Sequence, residues 1–166
     1  KGLLFKIFAD IDVFDIEVGT KDIEEFIATV KNIAPTFGGI NLEDIKAPES
    51  FEIERRLVEE LNIPVMHDDQ HGTAIISSAA LLNAVELAGK KMEDVNMVIS
   101  GAGSAAIACA NLYVAFGVNP ENVVMFNSKG ALRKDDPRVT DMQRRYATDK
   151  HYDDLAHAMK GADVFI

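Results

Sequence analysis

The chain has 166 residues, 48% of them apolar and 27% charged, with a formal net charge of −10. That balance supports a packed core, as one domain or as two incomplete ones, and the acidic charge argues against nucleic-acid and anionic-membrane partners, which would repel it. A single cysteine, Cys109, excludes an internal disulfide; no bilayer-length apolar run and no cleavable leader is visible, so the expected location is cytoplasmic.

Gly2 to Ala9 has helical spacing, with Leu3, Phe5 and Phe8 apolar, and Val13 to Val18 alternates like a half-buried strand. Between Lys21 and Ile33, the residues Ile23, Phe26, Ile27, Val30 and Ile33 follow the period of an amphipathic helix, which Pro35 ends. Two short apolar strands come next, Ile40 to Leu42 and Ile63 to Met66, and each runs into adjacent acids, Glu43-Asp44 and Asp68-Asp69. The helix between them starts near Pro48, a favourable first-turn residue. It turns Ile53, Leu57 and Leu61 to one side and Glu52, Arg55, Arg56 and Glu59 to the other. Two parallel strands joined by a helix bring both acid pairs to one sheet edge, a cradle for one divalent cation.

The character changes after Asp69. Gly72 to Ala88 is apolar nearly all round, which predicts a helix buried between layers and ended by Gly89. Val95 to Ser100 reads as a strand, Gly101 to Ser104 as a tight turn, and Ala105 to Phe116 as a helix of small residues that places Cys109 in a core. Another strand, Asn122 to Phe126, leads into a polar turn at Asn127 to Gly130. The charged stretch 129–150 predicts a loop with a short helix around Val139 to Tyr146; Leu155 to Lys160 is helical, and Asp163 to Ile166 begins a further strand. Such alternation predicts an α/β architecture with mainly parallel sheets. The start at Lys1 and the stop inside a strand point to an excerpt of a longer polypeptide.

Gly101-Ala102-Gly103-Ser104-Ala105-Ala106 fits G-x-G-x-x-A between an apolar strand and a helix. The first glycine permits the tight turn, the second lets a pyrophosphate approach the backbone, and the small third residue lets strand and helix pack closely. Gly101, Gly103, Ser104, Ala105 and Ala106 are thus candidate dinucleotide contacts at a helix N-terminus. The end of the next strand, where an acid usually accepts from the ribose, holds Asn127, followed by Ser128 and Lys129. These three favour NADP modestly over NAD, although Lys129 is equally explained as part of a solvated turn.

The acid pairs have two readings. Each precedes a helix, where the macrodipole alone favours acids; together they supply hard oxygen ligands suited to Mg2+ or Mn2+. His67 and His71 flank Asp68-Asp69 at i, i+4, but no Glu stands between them as H-E-x-x-H requires, so they read as residues of the helix start or as support for ligands. His151 and His157 lie in a charged, exposed region.

The strings Lys1-Gly2-Leu3-Leu4-Phe5-Lys6, Phe14-Asp15-Ile16-Glu17-Val18, Phe37 to Ile45, His67 to Ala74 and the glycine turn resemble the malic enzyme family in its bacterial form. The resemblance covers essentially the whole chain. It implies residues 1–69 as the C-terminal part of a metal- and substrate-binding α/β domain, and 70–166 as the first half of a Rossmann-type parallel sheet. It also implies Glu43, Asp44 and Asp69 as metal ligands, with Lys1 as catalytic base and Asp68 as its partner. The implied activity is oxidative decarboxylation of L-malate to pyruvate and CO2 with reduction of NAD(P)+, in an assembly of at least two subunits. The family's catalytic tyrosine is absent, and Tyr113, Tyr146 and Tyr152 do not stand in its place, so the 166-residue chain alone is expected to be inactive. A malolactic enzyme, another hydroxy-acid dehydrogenase and a non-catalytic dinucleotide-binding module remain the alternatives.

Overall fold

The computed structural model describes residues 1–166. Helix α1 spans Gly2–Ala9, with no buried residue, and ends at Asp10 in a left-handed conformation. The predicted strand at Val13 to Val18 does not form: residues 10–22 carry no regular element. Alternation alone does not make a strand, because the ladder needs a partner, and nothing pairs with this one. Phe14 instead lies against Phe37, ring centroids 6.2 Å apart.

Helix α2 (Ile23–Ile33) starts at Asp22, whose side chain accepts from the Glu25 N–H, filling one of the donors a helix start leaves open. A 3-10 turn at Ala34–Thr36 follows. Strand β1 (Ile40–Leu42), helix α3 (Glu49–Glu60) and strand β2 (Val65–His67) then form a β-α-β unit, two residues later at β2 than the apolar run suggested. The strands pair in parallel, Ile40 opposite Val65 and Leu42 opposite His67. One small core closes this unit: Ile27 and Val30 from α2, Leu42 from β1, and Ile53 and Leu57 from α3. Each such side chain contributes about 1.5–3 kcal/mol when fully buried, which is how two three-residue strands persist.

Helix α4 runs from Asp68 to Leu87, beginning four residues before the apolar pattern. The expected domain boundary at 69/70 therefore falls inside its first turn. Burial on all sides is not observed. Gln70, Ala74, Ser78, Leu81 and Val85 form the buried stripe, while Ile75 and Ile76 are 58% and 70% exposed. An all-apolar helix does not reveal from its own sequence which of its faces a given stretch of chain will cover.

A four-stranded sheet follows: β3 (Met97–Ser100), β4 (Val123–Asn127), β5 (Gly130–Ala131) and β6 (Val164–Phe165), in the order β5-β4-β3-β6. The pairs β3–β4 and β3–β6 are parallel, and β5, which the sequence did not announce, is a short antiparallel return on β4. Helix α5 (Ser104–Ala115) makes the crossover from β3 to β4. One face of the sheet packs Met97, Ile99, Val123 and Met125 against α4 and α5, through Ala74, Leu81, Val85, Ile107, Cys109 and Tyr113. On the other face Val98, Val124 and Phe126 meet Ala158 of the short helix α7 (Leu155–Ala158), which follows the equally short α6 (Asp141–Arg144). Because β4 and β6 flank β3 on opposite sides, the carboxyl end of β3 is the point where strand order reverses, the usual crevice for ligands in such sheets.

The charged stretch before α6 is pinned by local ion pairs. Arg138 donates to Asp136 from its backbone N–H at 2.9 Å and from its guanidinium at 2.8 and 2.7 Å. The guanidinium, with the backbone N–H second, holds the Asp136 carboxyl down at about 2 against an ordinary 3.8. A lowered folded-state pKa means that this contribution is present above about pH 3.8 and is lost as pH falls towards 2. In a carbon-detected NMR titration Asp136 is expected to titrate near 2, and Arg138→Ala to move it back up; an ordinary value in the unmodified chain would contradict the pairing.

Candidate active site

The register of β1 and β2 sets the first group of residues. Leu42 stands opposite His67 at the strand ends, so Glu43 and Asp68 leave the sheet side by side, with Asp69 next in the first turn of α4. One carboxylate oxygen from each of Glu43, Asp68 and Asp69 lies within 4.8 Å of the other two, and all three residues are half-buried. Lys1 reaches into this group: Nζ stands 2.9 Å from Glu43 Oε1 and donates to Asp68 Oδ2. Those two carboxylates, Asp68 first, hold the Lys1 ammonium above its ordinary range.

Asp44, expected beside Glu43, is placed differently. Its backbone is left-handed, φ 59°, and its N–H donates to Asp69 Oδ2 at 2.9 Å, while its exposed side chain stands outside the group of three. No histidine belongs to the group either. His67 is fully buried as the residue preceding α4, and its ring nitrogens have no partner; His71 is half exposed. Glu54 holds both: Oε1 accepts from the His67 N–H at 2.8 Å and lies 2.9 Å from His71 Nε2. Sequence reading passed over Glu54, although its spacing from Ser50, Leu57 and Leu61 puts it on the inner flank of α3.

Three carboxylates face one ammonium, an excess of two negative charges in a half-buried pocket. Hard oxygen donors in that excess fit a divalent cation such as Mg2+ or Mn2+.

The second group sits at the carboxyl end of β3. Gly101 has φ 143°, a conformation side chains rarely tolerate, and its N–H donates to Phe126 O at 2.9 Å, closing the β3–β4 edge. A Cβ there would meet nothing closer than Ala106 at 4.0 Å, an ordinary contact, so it is the backbone conformation that calls for glycine. Gly103 precedes α5 with an ordinary φ of −84°, and a Cβ on it would touch nothing. The fold itself does not demand glycine there, and the absence of a side chain leaves the N–H groups at the start of α5 open to approach. Asn127, Ser128 and Lys129 lie exposed at the end of β4, where the Asn127 side chain accepts from the Lys129 N–H at 2.8 Å.

Gln143 ties α6 to this turn. Its side chain closes a capping box with Thr140 and donates from Nε2 to Ala102 O at 2.9 Å. The T-x-x-Q spacing was legible as a helix start; the reach to Ala102 was not. Of the other candidates, Cys109 is buried 3.4 Å from Ser77 Oγ, and His151 and His157 are exposed beside Asp153.

A mainly parallel sheet with a glycine turn at its switch point, preceded by a cluster of three carboxylates and a lysine, defines an α/β chain of the dinucleotide-binding class. Comparison with known proteins gives the family. Residues 1–58 match the malic enzyme N-terminal domain and residues 70–164 the malic enzyme NAD binding domain. The NADP-dependent malic enzyme of Salmonella typhimurium is 55% identical over the whole chain, which covers 22% of it; that of Halomonas elongata is 52% identical, with 39% covered. The NAD-dependent malic enzyme of Rhizobium meliloti is 50% identical, again with 22% covered. Among solved structures, the NAD-dependent malic enzyme of Thermotoga maritima superposes with a TM-score of 0.91 at 45% identity, over 99% of this chain and 45% of that one. The chain belongs to the malic enzyme family, and it spans less than half the length of each of these relatives.

Removing the Gln143 amide should free the glycine turn. Gln143→Ala is expected to cost about 1–3 kcal/mol, the net worth of the two side-chain hydrogen bonds it removes, to Ala102 O and from the Thr140 N–H. Faster amide exchange at Gly103 and Ser104 is the readout, and unchanged exchange would count against the tie.

Proposed function

We propose that the protein carrying this chain performs oxidative decarboxylation of L-malate to pyruvate and CO2 with reduction of NAD(P)+. The observation that carries the reading is the convergence of Lys1, Glu43, Asp68 and Asp69 at one strand edge, in a chain whose next sheet bears the dinucleotide turn. The division into a metal- and substrate-binding part, 1–69, and a dinucleotide-binding part, 70–166, belongs to the same proposal.

Glu43, Asp44 and Asp69 are the metal ligands of this reading. Glu43 and Asp69 already converge, and the exposed Asp44 side chain would have to turn to join them. A divalent cation held by them, Mg2+ or Mn2+, would supply Lewis-acid chemistry to the substrate hydroxyl and to the charge that develops on decarboxylation. Lys1 takes the hydroxyl proton at Nζ, a role that needs the amine rather than the ammonium. Its pairing with Asp68 and Glu43 favours the ammonium; were Glu43 to hold a cation instead, Asp68 would be the remaining partner. Asp68 keeps Nζ in place throughout. Gly101, Gly103, Ser104, Ala105 and Ala106 seat the dinucleotide pyrophosphate over the N-terminus of α5. Asn127, Ser128 and Lys129, with no acid among them, favour NADP over NAD, because nothing there repels a 2′-phosphate.

The reaction draws on the nicotinamide pool, and the lone Cys109 is a free thiol, so a cytoplasmic location is part of the proposal. No helix is long and apolar enough to cross a membrane. Homo-oligomer assembly is a further part, supported by the apolar side chains left exposed on α1 and α4.

In the full-length protein, malate-dependent reduction of NADP+ or NAD+ is expected with Mn2+ and not with EDTA. Asp69→Asn should lower both Mn2+ affinity and turnover by about 100-fold or more, since even loss of an outer partner of a ligand costs 10–100-fold. Dinucleotide binding should survive it; full Mn2+-dependent turnover in that variant would sink the metal assignment. The isolated 166-residue chain is expected to form no NADPH or NADH from malate. Tyr113 and Tyr146 are fully buried, burial pushing the Tyr113 phenol up to about 12, and Tyr152 packs on Phe126. A steady rate from that chain alone would show that no further acid is needed.

A further inference from the structure

Gly72 lies in the second turn of α4, on the same side of the helix as Asp68 four residues earlier. A Cβ placed on it would stand 2.4 Å from Asp68 Oδ1 and 3.1 Å from Asp68 Cγ. The carboxylate therefore fills the space that a side chain at position 72 would take. Its other oxygen, Oδ2, accepts from Lys1 Nζ. The backbone gives no independent reason for the glycine: Gly72 is not among the residues with positive φ, and glycine is a poorer helix former than alanine.

We infer that Gly72 is a positioning residue, whose missing side chain lets the Asp68 carboxylate lie along α4 and hold Lys1 beside Glu43. The two oxygens of Asp68 are rigidly joined through Cγ. Moving Oδ1 to an ordinary contact distance shifts it by about 1 Å, and Oδ2 turns with it, away from Lys1. The inference rests on the reading of Lys1 as a base held by Asp68, and it adds a steric requirement outside the charged group itself.

Gly72→Ala in the full-length protein is the test. Turnover of malate, kcat, is expected to fall by about 100-fold, the scale of a 1 Å misplacement, while the KM and Kd for the dinucleotide stay within about two-fold. The thermal midpoint should hold or rise, because alanine favours the helix. A crystal structure of the variant should show Asp68 Oδ2 turned away from Lys1 Nζ. An unchanged kcat with the Lys1–Asp68 pair intact overturns the inference. Joint loss of thermal stability and dinucleotide affinity overturns it too, since that marks a glycine serving the fold alone. Should the unmodified protein fail to turn over malate, the proposed function falls on its own, and the variant's structure and thermal midpoint still decide the role of Gly72.

Discussion

The parallel pairing of β1 with β2 is the constraint on which the candidate site depends. Leu42 and His67 stand opposite each other as the last residues of two three-residue strands, so the next residues, Glu43 and Asp68, emerge side by side. Like charges brought together oppose folding, and strands this short do not hold by their ladder alone. Burial of Leu42, Ile53 and Leu57 under α2 supplies the offset, and the Lys1 ammonium relieves part of the repulsion. The apolar cluster beneath the strands thus maintains a charge arrangement that the carboxylates would not adopt unaided.

Much of this was legible in the chain itself. Periodicity located α2 and α3, a run of small residues located α5, the β-α-β spacing implied a parallel pair, and the glycine turn stands between strand and helix as read. The failures have separate physical causes. Val13 to Val18 carries a strand pattern, but a pattern cannot provide a partner. For α4, apolar residues on every side hide which face meets α5. Spacing also gave no sign that Asp44, unlike Glu43, sits on a left-handed backbone with its N–H donating to Asp69.

The residues that escaped sequence reading share one property: they act across a gap in the chain or through what they lack. Glu54 braces the β2–α4 junction from α3, thirteen positions before His67. Gln143 reaches back forty-one positions to Ala102. Gly72 contributes an absence, and only the placement of the Asp68 carboxylate gives that absence meaning. Each sits beside a charged or glycine-rich motif that is easy to find, and each governs how that motif is held.

Helix α4 is continuous for 20 residues, a rod of about 30 Å at 1.5 Å per residue. It carries Asp68 and Asp69 at its tip, while its length is packed into the core of the second sheet. Lys1 and Glu43 belong to the other part of the molecule. The ion-pair cluster is therefore a seam: its acids ride with the sheet that bears the glycine turn, and its lysine and remaining acid ride with β1. The rod joins the two cores without a loop between them, and the Lys1–Asp68 ion pair ties the N-terminal helix to its tip.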